Sequence, residues 1–226
     1  MGVIVLFSSF SSAAENKTKF FGDLEMFMPA NVADGGEADV KDTAQYLVDV
    51  IGYDSVSYKL ETTAAVGARV GVLFPIDGFG DIGVSVGYLA GPKTETTMTL
   101  KSTIVGDGGI KAETNITFTR VLCEYKKDIP VNENWSFKPG IGIGLAFGQS
   151  KEKITSATGS AAGTTGSAAK SWNGVTWEVS PAFTRRYSSV DLNLAIKYAG
   201  FPKLKENDNV SKIDWSTLGF SIGLGF

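Results

Sequence analysis

The chain has 226 residues, a net charge of −3 and 43% hydrophobic residues, and these values exclude two broad classes of protein. No segment approaches the roughly 18 consecutive apolar residues of a membrane-spanning helix. The net charge of −3 also argues against a nucleic-acid partner. The single Cys123 cannot form an internal disulfide and belongs to no cluster of metal ligands.

The first 14 residues have the pattern of a secretory signal peptide. A short apolar run at 3–7 precedes the small residues Ser-Ala-Ala at 12–14. The basic residues that open such a peptide are missing, so we expect this start to lie inside a longer signal. An ordinary N-terminal strand or a disordered end is the alternative. Residues 15–226 are predicted to form a single domain.

Eight segments alternate bulky apolar residues with small or polar ones at period two, as β-strands with two different faces do. In chain order they cover residues 20–28, 57–74, 82–104, 110–127, 135–148, 172–186, 190–198 and 214–226. We predict a bulge near 118–121, which leaves the face of Arg120 open. A second bulge is predicted at Pro181, because proline cannot donate to a strand ladder.

The connections between these segments alternate between long and short. The first is long and polar, with room for a short helical turn over 41–51, and the low-complexity Ser/Thr/Ala/Gly segment 151–171 is predicted to be a mobile loop. An even number of strands with such connections is typical of an outer-membrane barrel. The predicted fold is all-β: a closed antiparallel up-and-down transmembrane β-barrel of about eight strands, with long extracellular loops and short periplasmic turns.

A soluble ligand-binding barrel is the alternative, and its apolar residues would face inward instead. Two observations favour the membrane barrel. The face opposite the apolar one carries mostly Gly, Ala, Ser and Thr, which suits a cramped interior. Aromatic residues also gather at the strand ends nearest the short turns, where they would form an interfacial girdle: Phe20, Phe74, Trp135, Phe183 and Phe226.

Residues 120–148 read RVLCEYKKDIPVNENWSFKPGIGIGLAFG, and the last five residues read IGLGF. Both stretches resemble the opacity-like and OmpX-like family of small bacterial outer-membrane barrels. The resemblance covers residues 20–226. It implies a place in the bacterial outer membrane among its lipids and lipopolysaccharide, and a role in adhesion to a host or environmental surface or, in some members, small-pore permeability. It also implies that Phe220, Ile222, Leu224 and Phe226 form the signal that the barrel-assembly machinery reads. We expect a monomer.

The chain contains no histidine. The familiar outer-membrane barrel enzymes use a catalytic histidine, and no other side chain titrates so readily near neutral pH. Nothing in the sequence resembles a nucleophile with its base. We therefore predict no enzymatic activity, no cofactor and no metal.

Charged residues on the small-residue face are predicted to meet inside the barrel at similar heights: Asp23, Glu25, Arg69, Lys138, Glu178 and Lys197, with Arg120 as a further candidate. Glu25 with Arg69, and Glu178 with Lys197, lie on neighbouring strands as cross-strand pairs. The first interpretation is a structural ion-pair network that fills a narrow interior. The second is a gate for ions or small solutes.

These patterns lead to two hypotheses about function. The first is surface interaction, adhesion or envelope structure, carried by the extracellular loops, because exposed loops commonly bind ligands. The alternative is a small channel that the charge network gates.

Overall fold

The structure is a computed structural model that describes residues 18–28, 40–204 and 213–226. The predicted signal segment at 1–14 lies outside these residues. A short helix at 40–46 continues into a π-helical turn, Leu47–Ile51, and confirms the predicted helical turn. The strands of the described chain are β1 (Lys19–Met28), β2 (Ser55–Thr62), β3 (Ala65–Ile76), β4 (Gly80–Lys101), β5 (Gly108–Lys126), β6 (Ile129–Pro130), β7 (Trp135–Lys138), β8 (Gly140–Gly159), β9 (Ser167–Val179), β10 (Ala182–Arg186), β11 (Asp191–Leu204) and β12 (Ile213–Gly225).

Eight strands close into a ring in the order β1, β3, β4, β5, β8, β9, β11 and β12. The ring closes where β12 pairs with β1, from Phe21 opposite Gly225 to Met28 opposite Leu218. Three of these strands have a second piece that continues their line: β2 extends β3, β7 extends β8, and β10 extends β9. All of the pairings are antiparallel. The structure therefore confirms the predicted closed up-and-down barrel.

Bulky apolar side chains cover the outside of this ring. Leu24 on β1 is 65% exposed and Ile143 on β8 is 62% exposed, whereas the inward neighbours Asp23 and Glu25 are buried. A closed barrel with an apolar belt outside and polar groups inside is the architecture of bacterial outer-membrane proteins, because lipid tolerates neither exposed charges nor an open strand edge. The soluble barrel is thereby excluded, and the chain is an outer-membrane barrel. The helices of the described residues fall short of the length and apolar character that a membrane-spanning helix needs.

Strands β8, β9 and β11 extend further on the side of the long loops than the sequence indicated, whereas the long β4 and β5 agree with the predicted segments 82–104 and 110–127. β4 has 22 residues and β8 has 20, although about 9–11 suffice to cross a bilayer. The predicted mobile loop at 151–171 is wrong, since β8 runs to Gly159 and β9 begins at Ser167. Small Ser, Thr and Ala side chains hide the strand pattern, but their backbones pair with β5 and with each other.

Both predicted bulges are also wrong. The pairing of residues 118–121 with β4 and with β8 is regular, and the register shifts lie between Ala90 and Lys93 and between Lys111 and Ala112. Pro181 interrupts the ladder without adding a residue, because the pairs on either side of it stay in one register. A proline removes a donor, and here the strand continues unshifted past the missing bond.

Beyond the apolar belt, β2 and the outer parts of β4, β5, β8 and β9 form one sheet, which we call the extracellular sheet (55–62, 93–101, 108–115, 151–159 and 167–170). Short turns lie at the other end, so this side faces the cell exterior. Tyr53, Leu100 and Ala161 form a small apolar core at its tip. Tyr53 is also hydrogen bonded to Ser160, with 3.1 Å between their hydroxyl oxygens. These contacts hold the end of the helical segment 40–51 against the tip of the extracellular sheet.

Candidate functional site

The interior of the barrel holds a cluster of buried charges at mid-height, which we call the central network. Period-two alternation points its members inward from five different strands. They are Asp23 and Glu25 on β1, Arg69 on β3, Arg120 and Glu124 on β5, Glu178 on β9 and Lys197 on β11, and none is more than 8% exposed.

Arg120 lies at the centre of this network and is fully buried. Its Nη2 donates to Oε2 of Glu25 at 2.5 Å, and its Nη1 donates to Oε2 of Glu178 at 2.8 Å. Its guanidinium carbon also lies 5.2 Å from the ring centre of Phe27 and 5.8 Å from that of Phe201. Arg120 therefore contacts both the carboxylates of the central network and the aromatic rings on their extracellular side.

Arg69 contacts four carboxylates. Its Nη2 donates to Asp23 at 2.7 Å and its Nη1 donates to Glu178 at 2.9 Å. Salt-bridge distances of 3.1 Å to Glu124 and 3.2 Å to Glu25 complete the set. A planar guanidinium presents several donors in fixed directions, which suits one cation to several carboxylates.

Lys197 enters the network from β11. Its Nζ donates to Glu25, and it lies 3.3 Å from Asp23 and 3.6 Å from Glu178. The predicted pair of Glu178 with Lys197 is thus present, although Lys197 is nearer to the carboxylates of β1.

The charges of this network balance when Lys126, which lies at its border, is counted. Four buried carboxylates face three buried cations, and the half-buried Lys126 lies 2.9 Å from Glu124 as the fourth. Ser85 also donates to Glu124. Buried ions are costly unless each has partners, and this arrangement gives each carboxylate at least one cation.

Sequence reasoning had located most of this network but not all of it. The structure brings together Asp23, Glu25, Arg69, Glu178 and Lys197, and it places Arg120 among them. Glu124 was missed because the supposed bulge at 118–121 hid the facing of β5. The sequence offered little signal for it, because the apolar Phe118 and Leu122 face inward beside Arg120 and break the apolar-outward pattern of the other strands.

Lys138 is the correction to the predicted set. Its Nζ donates to Asp191 at 2.9 Å and lies 3.9 Å from Asp128, close to the periplasmic turns. Arg186 donates to the same Asp128. This second cluster lies below the central network, because the stagger of strands in a barrel places residues at equal sequence distances at different heights.

An apolar layer covers the central network on its extracellular side. It consists of Phe27, Ala65, Leu89, Ile116, Phe118, Ala199 and Phe201, with Trp172 packed against them. The cavity between these residues and their neighbours has a volume of only about 10 Å³. One water molecule needs about 10–15 Å³ measured in this way, so the layer is close-packed.

A wider space lies on the periplasmic side. This vestibule of about 290 Å³ reaches up from the short turns to Asp23, Arg69 and Lys197. Lys19 and Asp81, whose charged atoms lie 2.8 Å apart, also line it. The interior is therefore open to the periplasm up to the central network and close-packed at the apolar layer directly above it.

The extracellular sheet carries a second set of charges on its outer face. Lys93 lies 2.9 Å from Glu95 and 3.0 Å from Glu113, and Lys59 lies 2.5 Å from Glu61. Hydrogen bonds from Asn115 and Lys93 hold the pKa of Glu113 below its ordinary value. These are exposed pairs, unlike those of the central network.

The chemistry of these sites is that of ion pairing and packing. Within residues 18–28, 40–204 and 213–226, no group of three or more Asp, Glu or Cys side chains is placed to hold a metal ion. The proposed assembly residues Phe220, Ile222, Leu224 and Phe226 all face outward into the apolar belt. Phe226 and Phe20 exchange two backbone hydrogen bonds of 2.8 and 3.0 Å, which complete the seam between β12 and β1.

Comparisons with known proteins find similar solved structures only. No family model matches the chain, and no curated protein matches its sequence. Ail of Yersinia pestis is 9% identical, with a TM-score of 0.40 over 94% of this chain and 98% of that one. The outer-membrane protein OprG of Pseudomonas aeruginosa is 14% identical, with a TM-score of 0.46 over 93% and 94%. Neisserial surface protein A is 11% identical, with a TM-score of 0.36 over 91% and 95%. Identities this low transfer no function to this chain.

Proposed function

We propose that this protein is a non-enzymatic surface protein whose closed barrel holds the extracellular sheet outside the cell for contact with a surface ligand. The observation that carries the proposal is the contrast along the barrel axis. The interior is filled at mid-height, whereas five strands continue beyond the membrane as an ordered sheet.

The filled interior supports a scaffold rather than a passage. A solute would have to separate the central network and then displace the apolar layer around Phe118. Parting buried ion pairs leaves charges without partners, at a cost of several kcal/mol for each ion. The roughly 10 Å³ between the apolar residues leaves room for about one water molecule at most.

The ordered sheet supports a role outside the cell. Residues 93–101 of β4 pair on one side with β2 and on the other with β5, so their backbone is held in place. The outer face of this sheet carries six lysines and three glutamates among the described residues, although the whole chain has a net charge of −3. A preformed and charged surface loses little conformational entropy when it binds a partner.

A small-solute or ion channel gated by the central network is the second candidate. The vestibule favours it, because a cavity of about 290 Å³ gives ions from the periplasm access to Asp23, Arg69 and Lys197. Such a channel would require the network and the apolar layer to move together.

Adhesion of cells that display the protein tests the proposal. The full chain and a shortened variant would be expressed in a Gram-negative host, and attachment to surfaces coated with fibronectin, collagen or heparin would be counted. The variant replaces 94–114 and 151–169 by Asn-Gly turns, which suit two-residue hairpins and retain the pairs Lys93–Asn115 and Ser150–Lys170.

We expect the full chain to increase attachment to at least one coat and the shortened variant to lose that increase. A shift in gel mobility on heating would show that the variant still forms a barrel. Attachment that the shortening leaves unchanged would contradict the proposal, and so would attachment no greater than that of cells without the protein.

A further inference from the structure

The outer surface of β5, β8 and β9 changes from apolar to polar over a few rows of side chains. Opposed residues of antiparallel strands share a face, so Val121, Leu145 and Val175 form one row, and it is wholly apolar. The next two rows outward are polar apart from Phe147. They line an open groove of about 410 Å³ on the outside of the barrel: Thr117, Thr119, Phe147, Gln149, Ser171 and Asn173.

Lysines follow directly above this groove. Lys93 and Lys151 lie in the row of Asn115, the next beyond Thr117 and Gln149, and Lys153 lies one row further, opposite Glu113. Successive rows on one face are about 7 Å apart, since each residue of a strand rises about 3.4 Å. The three lysine side chains therefore start within roughly 7 to 14 Å of the groove, a distance that a flexible lysine can partly cover.

We propose that this groove and Lys93, Lys151 and Lys153 bind the phosphorylated sugar headgroup of a glycolipid in the outer leaflet. Hydroxyl and amide side chains in the groove match sugar hydroxyls, and the lysines above supply cations for phosphate. The position argues for a membrane-anchored ligand over a soluble polyanion, because Phe147 and the row of Val121 continue the site into the apolar belt, where acyl chains lie. This inference does not depend on the proposed function.

Native mass spectrometry of the full chain, refolded in non-ionic detergent, tests the site with lipid A as the probe. We expect wild-type protein to bind bis-phosphorylated lipid A, and the triple variant Lys93→Gln, Lys151→Gln, Lys153→Gln to bind it at least tenfold more weakly. The matched control replaces Lys59, Lys101 and Lys111 by Gln on the same face but further from the membrane. It should keep wild-type affinity.

A second variant tests the groove without changing charge. Gln149→Leu with Asn173→Leu should also weaken lipid A binding, while an unchanged shift in gel mobility on heating shows that the barrel forms. Equal losses in both lysine triples, no loss in the first triple, or full binding by the groove variant would overturn the proposal. Inorganic polyphosphate tests whether the site prefers a soluble ligand. If polyphosphate binds as tightly as lipid A and competes with it, the site is not one for a lipid headgroup.

Discussion

The central network and the extracellular sheet contain ion pairs of the same length in opposite surroundings. Arg120 and Glu25 lie 2.5 Å apart with fully buried side chains, whereas Lys59 and Glu61 lie 2.5 Å apart with 74% and 61% of their side chains exposed. Water and salt screen the second pair and solvate each partner when it is left alone. Inside the barrel, neither partner has that alternative. The distance between two charges therefore says little about stability until burial is known.

The two regions also differ in how their pairs are connected. In the central network Arg69 contacts four carboxylates, so removal of one residue changes the surroundings of several others. On the sheet, Lys59 and Glu61 form a pair on one strand. We expect large and non-additive effects in the barrel and small, nearly additive ones on the sheet.

Removal of Arg120 should have the largest effect. Arg120→Met leaves Glu25 and Glu178 with one cation fewer, and breaking a buried pair in this way costs about 3–5 kcal/mol. The free energy of unfolding in urea, measured for the barrel in lipid vesicles, would show the loss. The double variant Arg120→Met, Glu25→Gln restores the charge balance and should recover part of it. A single variant as stable as wild type would contradict the buried network.

Truncation in the apolar layer should come next. Phe118 is 2% exposed and packs against Phe201 and Trp172, so Phe118→Ala should lower the free energy of unfolding by about 3 kcal/mol through lost contacts and a cavity. Phe147→Ala is the matched control, because Phe147 faces lipid near the same level and lipid can fill the space it leaves. The same urea titration would compare them, and equal losses would show that the interior is loosely packed.

A smaller effect is expected from Gly144→Ala, which adds a methyl group to β8 in the barrel wall. The Cβ of an alanine at position 144 would lie 1.8 Å from the carbonyl oxygen of Val121, so the backbone has to shift. Overpacking of this kind typically costs about 1–3 kcal/mol. Gly142→Ala is the control two residues away, where the nearest atom would be Leu122 Cδ1 at an ordinary 3.5 Å. The heating temperature at which gel mobility shifts should fall for Gly144→Ala and stay constant for Gly142→Ala.

The smallest effect is expected on the sheet. Lys93→Gln removes a cation that lies near Glu95 and Glu113, but all three remain in contact with water. The urea midpoint should match wild type at both low and high salt. The lowered pKa of Glu113 adds stability that is present above the pKa of the unfolded chain and is lost as the pH falls through the folded value. Glu113 is in contact with water, so this contribution to stability should be small. A marked loss of stability at acid pH that is present in the wild type and absent in Lys93→Gln would contradict the comparison.

The fold was predictable because lipid imposes a strict rule. Every second residue of a crossing strand must be apolar, and segments such as Leu218 to Phe226 follow this rule without a break. The same rule gives the inward face, and so it identified Glu25, Arg69 and Glu178. Where the strands leave the bilayer the rule no longer holds, and the strands of 151–171 were predicted as a loop because small polar residues fit either state.

The errors inside the barrel have a different cause. Alternation along one strand shows whether a side chain points into the barrel. Its height along the barrel axis depends on the stagger between strands, which the sequence does not give. Lys138 was therefore assigned to the central network although it lies beside Asp191. Glu124 was lost because a single supposed bulge reverses the facing of every residue that follows it.

Single-channel recording in a planar bilayer tests the central claim most directly. A barrel filled by the central network and the apolar layer should insert stably and remain electrically silent. Arg69→Ala and Glu178→Ala, recorded beside wild type, show whether the network is what closes it. Steady, reproducible openings of wild-type protein that change in these variants would contradict the closed scaffold and make the network the gate of a channel.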